Sequence, residues 1–378
     1  MYKKAFKYRI YPTSKQKTFL NKVLEECCWL YNYLLNQKKE LYEKEQKSIS
    51  VYDQHNQLSQ LKNQKTSLNC VYSQCLQNVS VRIDLAFKAF FRRCKSGEKP
   101  GFPRFRGVGW YSSFTYPQNH KLSSPFQFVG SNKIKLAKIG IVKIILHRPV
   151  VGEMKTCTVS KTSTGKWFVS FSCDVEQEKL PYNGEQIGID VGLKTFATLS
   201  NGTTIANPRF FKTEEKRLVK VQRKLSKCGK GSTKRFKTRR ILVKVHERIA
   251  NKRSNFCHQE SRKIINQFGI LCVEDLNIKN MLVKGEFPKL NKSISDVSWG
   301  QFLSLLSYKA ENAGRIIAKV NPAYTSQDCS NCGTRQVLKL SDRTYTCEKC
   351  KLVIDRDLNA SKNILRIGTY SLGLPEDF

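Results

Sequence analysis

Two kinds of chemistry-bearing residue lie back to back between Cys329 and Leu365. Cys329-x2-Cys332 and Cys347-x2-Cys350 form two CxxC pairs separated by residues 333–346. Two such knuckles can close around one tetrahedral Zn2+ through four thiolates. A site with four cysteine ligands has no open position, so it folds its segment and does not catalyse. Directly after the last cysteine come Asp355 and Asp357, then the helix-forming run NASKNIL. Two further acids end apolar runs, Asp190 in IGIDVG and Glu274 in ILCVED. An acid at the end of a buried strand is costly unless it meets a cation or another partner. Asp275 beside Glu274 would point to the opposite strand face. Each acid alone also reads as a helix cap or a surface charge, but three within one α/β region suggest a shared site. Two strand-borne carboxylates and one on a helix can hold two Mg2+ (or Mn2+) ions, activate a water and stabilise a leaving oxygen in phosphodiester cleavage. Carboxylates suffice as ligands for such ions, in keeping with the five histidines of the chain. There is no GxxxxGK[ST] loop, so a P-loop motor is excluded.

The elements that must position these residues follow from periodicity. Residues 2–11 read as a short basic strand, and TSKQ starts a helix capped by Thr13 or Ser14. Apolar residues at helical spacing make 13–95 a helical block, with a second stretch at about Ser80–Arg93 carrying Val81, Leu85, Phe87, Phe90 and Phe91. KSGEKPGFPRFRG (95–107) breaks the pattern and interleaves aromatic and basic residues at Phe102, Arg104, Phe105 and Arg106. It reads either as a linker or as a loop that stacks on bases and grips phosphates. Residues 110–178 read as strands of an antiparallel sheet or small barrel, closing with a hairpin at Ser163-Thr164-Gly165, and residues 2–11 are a candidate first strand. EKLPYNGE (178–185) marks a boundary, after which QIGIDVGLKTFATLSNGTTIANP reads as three strands of an α/β sheet. Lys212–Lys263 is helical, with 19 Lys/Arg against 4 Glu, too lopsided for a merely solvated face. A strand followed by a turn at FGILCVEDLNI (268–278), a helix at 298–313 and a strand at RIIAKVNP complete this part.

Charge bounds the partners. Lys and Arg total 67 against 30 Asp and Glu, a net +37. Such a chain repels itself unless a polyanion offsets the charge, so nucleic acid is the leading partner. A membrane surface is disfavoured, since the charge is spread through the chain and no run of about 18 apolar residues occurs. The N-terminus has no apolar signal core. With the ten cysteines outside the clip showing no shared spacing, the expected compartment is the reducing cytoplasm. Cys272, inside an apolar run, reads as a small core residue.

The series IGIDVGLKTFATLSNG, VEDLNIKNM, CSNCG…CEKC and DRDLNASKNIL resembles the TnpB family of transposon-encoded RNA-guided nucleases, compact relatives of type V CRISPR effectors. YRIYPTSKQ, FKAFFRRCKSGEKPGFPRFRG and HERIANKRSNFCHQES extend the resemblance over essentially the whole chain. It implies an α+β multidomain protein. A β-barrel, wedge-like domain (1–12 and 96–180) would hold a helical recognition lobe (13–95). A RuvC-like nuclease with an RNase H fold (181–325 and 351–367) would follow, interrupted by a zinc ribbon (326–350) and ending in a short tail (368–378). The resemblance makes Asp190, Glu274 and Asp357 the catalytic, magnesium-holding acids, with Asp355 the weaker candidate. It implies a monomeric ribonucleoprotein of a prokaryotic cytoplasm, bound to a guide RNA from the transposon end and to a double-stranded DNA target beside a short motif. Tyr8, Phe102, Arg104, Phe105, Arg239 and Arg240 are candidate nucleic-acid contacts. An RNA-guided repressor that never cuts and a strand-joining DNA transposase are the competing readings, because carboxylate triads occur in both nucleases and transposases.

Overall fold

A computed structural model describes residues 2–107, 109–119, 124–177, 179–283, 288–339 and 342–374. The chain forms two compact units, Met1–Glu176 and Gln177–Phe378.

The first unit is a curled antiparallel sheet with helices inserted after its first strand. Its strands are β1 (Tyr2–Tyr11), β2 (Ser113–Tyr116), β3 (Phe126–Val129), β4 (Lys133–Leu136), β5 (Gly140–Ile145), β6 (Glu153–Lys161) and β7 (Trp167–Val175), in spatial order β2-β6-β7-β1-β5-β4-β3. β1 pairs with β7 from Tyr2↔Val175 to Ile10↔Trp167. Period-two alternation explains the fit: Phe6, Tyr8 and Ile10 face the core while Lys3, Lys7 and Tyr11 face solvent. The rings of Tyr116 on edge strand β2 and Phe126 on edge strand β3 lie 6.1 Å apart, so the sheet is a nearly closed barrel. Between β1 and β2 run α1 (Ser14–Glu45), α2 (Val51–Asn56), α3 (Leu58–Gln64), a 3-10 turn (Thr66–Cys70) and α4 (Ser73–Lys95). Thr13 is the cap of α1, in a reciprocal box with Gln16. α4 starts seven residues before the expected stretch. It buries Cys75, Leu76, Val79 and Ile83 and packs Phe87 against the same core, whereas Leu85 and Phe91 are exposed.

The second unit is built on a mixed sheet of β8 (Gln186–Asp190), β9 (Thr195–Leu199), β10 (Thr204–Ala206), β11 (Ile270–Glu274) and β12 (Ile316–Val320), in order β10-β9-β8-β11-β12. β8, β11 and β12 are parallel, and β9 and β10 join antiparallel, the arrangement of an RNase H-like sheet. Its helices are α5 (Phe210–Ser226), α6 (Thr233–Gln267), α7 (Ile278–Val283), α8 (Pro288–Val297), α9 (Trp299–Ala313) and α10 (Arg356–Ser371). The strands are apolar on both faces because both are covered. Ile187, Ile189, Leu271 and Val273 pack into a core with Ile264 of α6 and Phe302 of α9. Ile270, Cys272, Ala318 and Val320 pack with Ile364 of α10. α10 sits flush on the sheet through two glycines. A Cβ on Gly188 would lie 2.0 Å from the Ser361 carbonyl oxygen, and one on Gly368 would lie 2.3 Å from Cys272 Sγ.

A small hairpin of β13 (Thr344–Thr346) and β14 (Val353–Asp355) precedes α10. The strand β14, after the last cysteine, pairs back on β13 between the two CxxC pairs. α10 runs to Ser371, and Gly368 seals its last turns against β11.

Candidate active site and zinc clip

Strand alternation aims the acids. Gly188 faces α10, so Asp190 two residues on has the same facing. On β11, Ile270 and Cys272 pack toward α10, and Glu274 continues that row. The parallel register pairs Ile189 with Val273, which sets Asp190 beside Glu274 at the ends of neighbouring strands. Asp357 enters from the first turn of α10, and its Oδ2 would stand 3.8 Å from a Cβ at Gly192, just after Asp190.

The electrostatics record this convergence. The Asp190 carboxyl is pushed from 3.8 up to about 8, first by burial, then by the charges of Glu274 and Asp357. Arg356 and the Val191 backbone N–H oppose the shift. Burial also raises Glu274, against the pull of the Thr325 hydroxyl, which donates to Glu274 Oε1 at 2.7 Å. Asp357 has Arg356 3.7 Å away. Carboxylates set side by side, with Asp190 raised by burial and by its two neighbours, are a set that a hard divalent cation would satisfy.

The two competing acids do other work. Asp355 is the N-cap of α10, its Oδ1 accepting from the backbone N–H groups of Asp357 and Leu358 at 2.9 and 3.2 Å. Asp275 is exposed and accepts from Lys319 Nζ at 3.2 Å.

The four cysteines meet. Sγ of Cys329 is 3.6 Å from Sγ of Cys350, Sγ of Cys332 is 3.5 Å from Sγ of Cys347, and all four lie within 4.8 Å. Zn–S bonds of about 2.3 Å at tetrahedral angles place sulfurs ~3.8 Å apart, so the geometry is that of a zinc clip. Hydrogen bonding with Thr334 holds the Cys332 thiol below its ordinary range, which favours the thiolate a metal needs. Tyr345 backs the clip, its hydroxyl donating to the Gln327 and Thr334 carbonyls.

The remaining sequence candidates separate by exposure. Tyr8 is 0% exposed, with its ring against Phe171 and its hydroxyl donating to the Arg148 carbonyl. It is a core residue of the barrel, and the expectation of a nucleic-acid contact there is withdrawn. Phe102 is half-exposed but stacks edge-on against Phe87 and Phe90 of α4. Arg104 and Phe105 are exposed, with Lys39 over the Phe105 ring. Their loop is pinned to α1 because Asn32 donates to the Arg106 carbonyl and accepts its N–H. Arg239 and Arg240 are exposed on α6, directly after the buried Thr238. Sequence reasoning missed Asn32, Thr325, Asn359 and Asn363. Only the last two carried a signal, two amides at i, i+4 on a helix.

A barrel with inserted helices, an RNase H-like sheet with converging acids and a four-cysteine clip before the last helix define a Cas12-like fold. Solved structures share it. A Cas12f1–sgRNA–target DNA complex aligns with a TM-score of 0.58 at 16% identity, over 93% of this chain and 83% of that one. CasPhi-2 (Cas12j) bound to crRNA aligns at 0.52 and 10% identity, over 97% and 98%. Three family models match: "Cas12f1-like, TNB domain" at 299–364, "Probable transposase" (OrfB_IS605) at 170–284 and "Helix-turn-helix domain" (HTH_OrfB_IS605) at 1–47. In this chain the residues of the last match form one strand and one long helix. A Streptomyces pristinaespiralis protein described as a "Putative RNA-guided DNA endonuclease" is 33% identical over 97% of this chain and 89% of its own length. The similarly described InsQ of Escherichia coli K12 is 30% identical over 98% and 94%. The chain belongs to the TnpB (IS605 OrfB) family.

Proposed function

We propose that this chain is an RNA-guided endonuclease that cuts double-stranded DNA beside a short motif, with Asp190, Glu274 and Asp357 as its metal-holding acids. The observation that carries the reading is the meeting of these three carboxylates at the ends of β8 and β11 and the start of α10, where burial first, and then the charges of Glu274 and Asp357, raise Asp190 to about 8. Family membership and a net charge of +37 support a long RNA and a DNA duplex as partners. Bound at these acids, Mg2+ (or Mn2+) would polarise the scissile phosphate and supply an activated water. The chain's own contribution is positional. β8 and β11 fix two carboxylates, α10 brings the third, and Arg356 keeps a positive charge beside them. The barrel and α1–α4 serve as guide-scaffold and duplex-recognition parts, and the zinc segment handles target nucleic acid. The particle is a monomeric ribonucleoprotein acting in a prokaryotic cytoplasm.

The test is to purify the protein from cells carrying its flanking DNA and sequence the bound nucleic acid. One abundant RNA ending in sequence copied from the neighbouring DNA is the expected result. Heterogeneous nucleic acid removed by salt would overturn guidance and favour the strand-joining transposase. A guided complex that binds its target and leaves no product at any Mg2+ concentration would be the repressor.

A further inference from the structure

DRDLNASKN places Asn359 and Asn363 one helical turn apart on α10, the helix whose first turn carries Asp357. Their side chains are 0% and 1% exposed, so their amides must find partners inside the protein. Those partners lie chiefly on the backbone entering the zinc clip. Asn359 Nδ2 donates to the Asp328 carbonyl at 2.8 Å, and its Oδ1 accepts from Ser330 N–H at 2.9 Å. Asn363 Nδ2 donates to the same Asp328 carbonyl at 2.6 Å and to the Thr325 carbonyl at 2.9 Å. Two side chains thus bond the backbone on both sides of Cys329, the first cysteine of the clip. Thr325, itself buried, turns its hydroxyl the other way and donates to Glu274 at 2.7 Å. One short segment therefore touches the clip, the helix of the third acid and the side chain of the second.

We infer that Asn359, Asn363 and Thr325 are positioning residues through which zinc in the clip sets the geometry of the divalent-cation site. The inference rests on reading Asp190, Glu274 and Asp357 as that site. A simpler packing role predicts that losing these bonds costs stability alone. The positioning role predicts that zinc and the second metal report on each other, because coupling between two sites is reciprocal.

Mn2+ is the probe, titrated into the full-length protein and read by electron paramagnetic resonance of the free ion. Zinc is counted by a colorimetric chelator. The Asn359→Ala/Asn363→Ala double variant keeps one zinc and binds Mn2+ ~10–100-fold more weakly. Thr325→Val weakens Mn2+ binding in the same direction, and Thr325→Ser retains wild-type affinity. Stripping zinc weakens Mn2+ binding in the wild type and adds nothing in the double variant. Zinc-loaded variants with wild-type Mn2+ affinity would overturn the inference, as would an equal effect of stripping in both proteins. Amide exchange supplies an arm independent of the second metal. Zinc stripping deprotects residues 356–363 in the wild type, and unchanged exchange there would overturn the link. Mn2+ binding that Asp190→Ala leaves intact would instead sink the assignment of the acids, with the exchange arm still judging the link.

Discussion

At the residue scale, Asp190 carries the plainest consequence. Its carboxyl stands at about 8 in the folded chain against 3.8 outside it. A raised acid is protonated in the fold and ionised in the unfolded chain between those values. Without a divalent cation, stability therefore falls as pH rises from about 4 to about 8. Asp190→Asn removes that cost. In EDTA at pH 7.5 its melting temperature exceeds wild type by about 2–4 °C per kcal/mol recovered. Mg2+ raises the wild-type melting temperature and leaves the variant unmoved. A variant less stable than wild type in EDTA would contradict the convergence of charges. The two neighbouring aspartates divide differently. Asp355→Ala loses a helix cap, about 1 kcal/mol, and keeps cleavage at permissive temperature. Asp357→Ala loses cleavage with little change in melting. Parallel melting and cleavage assays read both, and the opposite pattern would exchange their roles.

The four cysteines were legible at this scale because two CxxC pairs at this spacing have few other uses. Tyr8 was misread because Phe6-Lys7-Tyr8-Arg9 interleaves aromatic and basic residues as a binding loop does. In a strand the same pattern sends Phe6 and Tyr8 inward and Lys7 outward. Thr325, Asn359 and Asn363 were not legible as a set, since their partners lie tens of residues away and only the fold brings them together.

At the element scale, the glycines of the α10–sheet contact decide whether the third acid arrives. A Cβ at Gly188 would strike the Ser361 carbonyl, which belongs to the backbone of α10 and cannot rotate away. Gly188→Ala therefore displaces the helix, at about 1–3 kcal/mol for an overpacked core. Cleavage falls more than the melting shift alone explains. Wild-type cleavage in Gly188→Ala would show that α10 need not seat flush. The long elements were readable from their periods: β1, α1, α6 and β11 stand where apolar spacing put them. α7 and α8 were not foreseen, nor was β14, which is three residues long, has no pattern of its own and is defined by pairing with β13.

At the scale of the whole molecule, a charge of +37 would govern the binding of the proposed nucleic acids. Every phosphate the protein ceases to neutralise lowers the slope of log affinity against log salt by about 1. Arg239→Ala/Arg240→Ala on the exposed face of α6 reduces that slope by about 2 and weakens binding to all sequences alike. An unchanged slope, from binding isotherms at several salt concentrations, would remove these two arginines from the interface. Charge and composition pointed to a polyanionic partner. Strand order was not, because β1 and β7 pair residues more than 150 positions apart, and nothing local records them.

The central claim is that Asp190, Glu274 and Asp357 form one metal-dependent cutting site. The most direct measurement compares wild type with Asp190→Ala, each loaded with the RNA that co-purifies and given a matched plasmid target in Mg2+. Wild type is expected to linearise the plasmid, and the variant to bind it in a gel shift with cleavage reduced to background. Cleavage by the variant at the wild-type rate would contradict the assignment.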